Sequence, residues 1–179
     1  MGGLEVNIYL ETTYQGPARR QMSGAWLVEY LLKTGQPVTR GGILFSNLAT
    51  ENEMTLRLMA LAFSILTKSC CVRVFTRCTH VLNTMQNHWL WEWQKNGWKN
   101  AKDRPVGNVD LWKECAGLIA NHITEWTDAE HSYRQCMADR ARKEMGQEHK
   151  MQDECGYLVI DVPEWNTRCR NAQRDRKKV

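Results

Sequence analysis

The periodicity of apolar residues changes twice along this chain, and those two changes restrict it to a mixed α/β architecture. Val6, Ile8 and Leu10 alternate with polar neighbours, the period of a strand with one buried face. Gly16-Pro17 breaks the pattern, residues 23–32 supply a second extended apolar run, and the turn Thr34-Gly35-Gln36-Pro37 leads into a third at 38–45. Two glycine-containing turns between extended segments predict an antiparallel meander. Over residues 51–67 the period lengthens: Met54, Leu58, Leu61, Ala62 and Ile65 recur at three and four, which predicts an amphipathic helix with Asn47 or Thr50 as N-cap. Residues 70–76 return to alternation. Helical character follows at 80–93 and 110–121, a short strand at 123–126, and a closing helix at 132–146, rich in Ala, Met, Arg and Glu.

A chain of 179 residues can bury one respectable core but not two ordinary ones. No stretch approaches the roughly 20 apolar residues needed to span a bilayer, and Met1-Gly-Gly-Leu-Glu-Val lacks the regions of a signal peptide, so no membrane association and a cytoplasmic location are expected. Seven cysteines, an odd number with Cys70 and Cys71 adjacent and no Cys-x-x-Cys, predict reduced and mostly buried thiols rather than disulfides or a zinc knuckle. The net charge of +4 is uneven: Arg168, Arg170, Arg174, Arg176, Lys177 and Lys178 face only Asp175 at the C-terminus, on a nearly neutral body. Such a tail is commonly a solvated segment that can add nonspecific attraction to nucleic acid. The expected division is a domain over residues 1–146 and a C-terminal extension over 147–179. Within that extension, Tyr157-Leu-Val-Ile-Asp-Val162 is either an added strand or a segment that binds a protein partner.

Between Trp89 and Trp112 the chain interleaves Trp89, Trp91, Trp93 and Trp98 with Lys95, Lys99, Lys102 and Arg104. Indole faces supply stiff contact area, and the cations supply charge that a phosphate backbone attracts. The same composition also suits a helix packing its indoles inward.

The runs Gly97-Trp98-Lys99, Pro105-Val106 and Asn108-Val109-Asp110-Leu111-Trp112 resemble the basic protrusion, or handle, of bacterial type-one ribonuclease H. The resemblance extends over residues 6–144. It implies a ribonuclease H-like fold, a mixed five-stranded sheet flanked by helices, with a handle helix and loop that grips a nucleic acid duplex. In that family four carboxylates hold two magnesium ions, about 4 Å apart, which activate water and stabilise the leaving oxygen. The matching positions are degenerate here. The family's Asp-Gly-Ser becomes Glu11-Thr12-Thr13, Asn-Arg-Met-Glu-Leu becomes Asn52-Glu53-Met54-Thr55-Leu56, and Thr-Asp-Ser becomes Thr76-Arg77-Cys78. Ala-Asp-x-x-Ala-Arg resembles the five-residue run Ala138-Asp139-Arg140-Ala141-Arg142.

Glu11 and Asp139 are therefore the expected metal ligands and catalytic acids, while Thr55 and Arg77 are degenerate positions. A guanidinium where divalent cations belong repels them, and Arg77 is expected to pair instead with Glu11 or Asp139. His131, in Glu130-His131-Ser132-Tyr133, stands where the family's loop histidine assists product release, in a setting similar to divergent members from bacterial mobile elements. Thr50 and Asn52 match residues that reach the minor groove of a hybrid, with Glu51 replacing an Asn. Thr50, Asn52, Trp89, Trp93, Lys95, Trp98 and Lys99 are the expected nucleic-acid contacts. The resemblance implies a protein that binds RNA–DNA hybrid or duplex nucleic acid with cleavage lost or weak. The alternatives are an active hybrid-cutting endonuclease using magnesium or manganese, with Glu51, Glu53 or Glu92 as substitute ligands, and a structural subunit of a nucleoprotein assembly.

Overall fold

A computed structural model describes residues 3–147, 149, 156–162 and 165. Its elements run β1 (Leu4–Thr12), β2 (Arg20–Leu31), β3 (Pro37–Ala49), α1 (Glu51–Ser64), β4 (Cys70–Phe75), α2 (Thr79–Gln86), α3 (Trp89–Lys95), α4 (Val109–Ile119), β5 (Ile123–Thr127), α5 (Arg134–Met145) and β6 (Tyr157–Asp161). The strands form one mixed sheet in the order β5-β4-β1-β2-β3-β6. β1, β2 and β3 are the antiparallel meander, β4 and β5 join parallel to β1, and β6 pairs antiparallel with β3. The sheet thus has six strands rather than five. The additional one, outside the resemblance, comes from the apolar run of the C-terminal extension. The basic cluster from Arg168 to Lys178 lies outside the described residues.

Alternation in β1 sorts the two cores. Val6, Ile8 and Leu10 face α1, α2 and α4, packing with Met54, Leu58, Val81, Met85 and Trp112. Tyr9 faces the other way, where Ala25, Leu27 and Ile43 meet Tyr133, Met137 and Ala141 from α5 and its approach, together with Trp165. Fully burying an aliphatic side chain of this kind contributes about 1.5–3 kcal/mol, so these layers hold the strand ends in fixed register. Gly41 is required where the layers close: a Cβ there would lie 2.1 Å from the Trp26 carbonyl oxygen and 3.0 Å from the Trp165 ring.

Local signals account for the element ends. Thr50 caps α1 in a capping box, its Oγ1 accepting from the Glu53 N–H at 3.2 Å while the Glu53 carboxylate accepts from the Thr50 N–H at 3.2 Å. The predicted helix at 80–93 is two helices, because His88 adopts a left-handed conformation (φ 59°) between α2 and α3 and redirects the chain. Among the described residues Cys70, Cys71, Cys78, Cys115 and Cys136 are free thiols, and no helix is long and apolar enough to cross a membrane.

Candidate functional site

Glu11 lies near the end of β1, on the α5 side of the sheet, with 3% of its surface exposed. Three cationic or imidazole groups converge on its carboxylate. Arg77 Nη2 donates to Oε2 at 2.9 Å, while His131 Nε2 at 2.9 Å and Arg134 Nε at 3.0 Å both reach Oε1. Each is placed by its own short turn. Arg77 follows β4, where the Thr76 N–H donates to the Thr127 carbonyl at 3.0 Å and Thr76 Oγ1 accepts from the Cys78 N–H at 3.1 Å. The His131 ring packs against Tyr9 and Phe75, with centroids 4.5 and 5.6 Å away. Arg134 opens α5 and is braced by Glu130 and by the Ala129 carbonyl at 3.2 Å.

Burial alone would raise the Glu11 carboxyl, but the His131 hydrogen bond, the Arg77 charge and the Arg134 hydrogen bond outweigh it and hold it below the usual carboxylate range. Glu11 is therefore an ionised carboxylate at neutral pH, committed to protein cations.

That commitment decides whether the residues suit a two-metal centre. Thr55, 1% exposed, and Arg77 line the same small hollow as Glu11. Asp139, expected to complete the site, does not meet Glu11. It lies on the solvent face of α5, with its Oδ1 accepting from Gln135 Nε2 at 2.7 Å and Arg142 Nη1 at 3.2 Å. The reason is helical phase: Met137, Ala141 and Glu144 are the buried positions of α5, and Asp139 falls between them on the outer side. Glu51 accepts from the Gly16 N–H at 2.9 Å, Glu53 pairs with Arg19, and Glu92 lies 3.8 Å from Lys95 Nζ. Burial pushes the Cys78 thiol up to about 11, so it stays protonated. Among the described residues no three His, Cys, Asp or Glu side chains gather as metal ligands. One carboxylate with both oxygens on cations does not fit two magnesium or manganese ions.

Beside this centre opens a cleft of about 530 Å³ lined by Gln15, Arg19, Thr50, Asn52, Arg77 and His80, among others. Thr50 is engaged as the α1 cap, and Asn52 Oδ1 accepts from the Cys78 thiol at 3.3 Å, which leaves the Asn52 amide N–H groups as donors. Across the cleft the handle is divided by exposure. Trp89 is 43% exposed, and Lys95 and Lys99 are exposed with only loose partners in Glu92 (3.8 Å) and Asp103 (3.5 Å). Trp93 packs edge-on against Trp112 at 5.6 Å, and Trp98 lies half-buried beneath Lys113. The sequence reading missed Arg134. The inward stripe of α5 held the signal, because Arg134 precedes buried Met137 by three and Asp139 does not share that face.

A model of the RNase H family matches residues 7–144. The ribonuclease H of Thermoanaerobacter sp. (strain X514) is 32% identical over 103 residues, which cover 58% of this chain and 64% of that relative's length. LC9-RNase H1, a type 1 RNase H with the type 2 active-site motif, superposes with a TM-score of 0.67 at 24% identity, over 97% of this chain and 85% of its own. The foamy viral protease-reverse transcriptase, solved with an RNA/DNA hybrid, superposes with a TM-score of 0.58 at 13% identity, over 78% of this chain and 19% of its own.

Proposed function

Because the chain belongs to the ribonuclease H family and its central carboxylate is committed to cations, we propose that it binds RNA–DNA hybrid or duplex nucleic acid without metal-dependent cleavage. The observation that carries this reading is the state of Glu11. A carboxylate that accepts from Arg77 on one oxygen and from Arg134 and His131 on the other has a guanidinium on each oxygen, and a divalent cation would have to bind against the charge of both. His131 accordingly holds Glu11 rather than serving product release.

Binding is supported by the face that remains. The exposed Lys95, Lys99 and Trp89 stand on the handle, Asn52 offers donors from α1, and the foamy viral neighbour was solved with a hybrid. Phosphate contacts from the lysines and a stacking or sugar contact from Trp89 fit a duplex read by shape. A second reading, a structural subunit, draws on the inward packing of Trp93, Trp98 and Trp112. It predicts association that is insensitive to salt, whereas phosphate binding weakens steeply with ionic strength.

The test is a labelled hybrid incubated with the chain in magnesium and, separately, in manganese, with binding followed in parallel by gel shift. A salt-sensitive complex with the RNA strand intact is expected. Arg77→Asp is expected to remain inert, since Thr55 and Arg134 still occupy positions around Glu11 where further acids would be needed. Metal-dependent cutting by the native chain would refute the proposal.

A further inference from the structure

We propose that Arg77 is itself a binding site for a backbone phosphodiester, its guanidinium contacting the nucleic acid directly at the place where relatives of this fold would employ metal. The inference rests on the binding role proposed above and adds the chemistry of the central contact.

Arg77 is held by one edge and open at another. Its side chain is 38% exposed and lines the cleft, and only Nη2 is spent on Glu11. With its carboxamide turned to suit, Gln15 accepts from Nε at 3.1 Å, and Nη1 has no acceptor among the described residues. A planar guanidinium fixed on one side presents its remaining N–H groups in a set direction, which suits a phosphate oxygen and lowers the ordering cost of the contact.

Exposure, rather than net charge, gives Arg77 to the cleft. Glu11 is shared between Arg77 and Arg134, and Glu130 pairs with Arg134, so the cluster is neutral as a whole. Arg134 is 14% exposed and holds both carboxylates, whereas Arg77 is the cation of the cluster that lines the cleft. Of the acids bordering the cleft, Glu53 pairs with Arg19 and the Thr50 N–H, whereas Glu51 accepts from the neutral Gly16 N–H and, at 8% exposed, is largely withdrawn from the cleft surface. Asn52 and Thr79 are neutral neighbours that impose no repulsion.

The experiment is a fluorescence anisotropy titration of a labelled RNA–DNA hybrid with the full chain across a potassium chloride series. Arg77→Gln is expected to weaken binding about tenfold and to lower the slope of log affinity against log salt by about one, the signature of one lost phosphate contact. Glu11 keeps Arg134 and His131 in this variant, so its fold is expected to survive, and thermal unfolding checks that. The unaltered chain supplies an arm that needs no variant. Its affinity should agree within about twofold between EDTA and magnesium at matched ionic strength. Wild-type affinity and slope in Arg77→Gln, or binding that requires a divalent cation, overturns this inference while leaving hybrid binding in place. Absence of any salt-dependent binding by the unaltered chain sinks the binding role itself.

Discussion

Two carboxylates are buried on the same face of the sheet, and the protein stabilises them by opposite means. Glu11, 3% exposed, is held by Arg77, Arg134 and His131. Glu29 in β2, 8% exposed, accepts only from neutral donors among the described residues: Asn7 Nδ2 at 3.0 Å, the Tyr9 hydroxyl at 3.1 Å, and the Tyr133 hydroxyl. Tyr9 links the pair, since its ring packs on both His131 (4.5 Å) and Tyr133 (5.0 Å). Neutral donors disperse the Glu29 charge within the fold and leave nothing over. Charged donors hold Glu11, and one of them, Arg77, reaches the cleft. One carboxylate therefore fixes structure, and the other also supplies a surface charge.

The largest effect that would break this distinction is loss of Glu11. Glu11→Ala strands the nearly buried Arg134 without its carboxylate and should cost about 3–5 kcal/mol in urea unfolding. Glu29→Gln keeps an acceptor for its donors and should cost only about 1–2 kcal/mol. Equal losses would mean that the cations around Glu11 contribute no more than hydroxyl and amide donors do.

Unequal legibility in the sequence follows the same line. The meander and α1 were readable because each depends on the spacing of residues close in the chain, and of the two candidate caps, Asn47 and Thr50, the capping box with Glu53 selects Thr50. The Arg77 substitution was readable from its motif, and pairing with Glu11 or Asp139 was the expected outcome. Choosing between those acids required the rotation of α5, which the five-residue run 138–142 does not fix when both Asp139 and Arg134 are helical and polar. The break at His88 was equally hidden, since a left-handed histidine carries no local mark like that of glycine. The Glu29 network was missed altogether. Asn7, Glu29 and Tyr133 are brought together by β1–β2 register and by the approach to α5, contacts that span more than 20 residues.

A smaller effect separates the two sites by pH. The Glu11 pKa is depressed in the folded state, so its stabilisation is complete above the unfolded value near 4.5 and is lost as pH falls through the lower folded value. Burial, and next the charge of Glu29, raise the Tyr9 hydroxyl well above its ordinary value of 10. Its stabilisation is present below that value and is lost as pH rises beyond it, because the unfolded chain ionises first. Tyr9→Phe should thus cost about 1 kcal/mol at neutral pH and flatten the alkaline limb of a stability–pH curve, leaving the acid limb unchanged. Glu11→Gln should flatten the acid limb instead. If either variant altered the opposite limb, Tyr9 and His131 would be coupling the two carboxylates into one titrating unit.

The smallest expected effect is the most direct check on what the cations around Glu11 have replaced. A ligand that binds only the folded chain at 100 times its dissociation constant adds about 2.7 kcal/mol, enough to move a thermal midpoint by several degrees in a domain of this size. Titrating magnesium against potassium chloride of matched ionic strength should move the midpoint no further than the salt does, because a metal at Glu11 must bind against the charge of the Arg77 and Arg134 guanidinium groups on a nearly buried carboxylate. The same titration on Glu29→Gln should look identical, since the change at Glu29 leaves the Glu11 cations in place. A shift specific to magnesium in the unaltered chain would show that the ion cluster yields to metal, and the contrast between a carboxylate locked by charge and one dispersed by neutral donors would then fail at its first term.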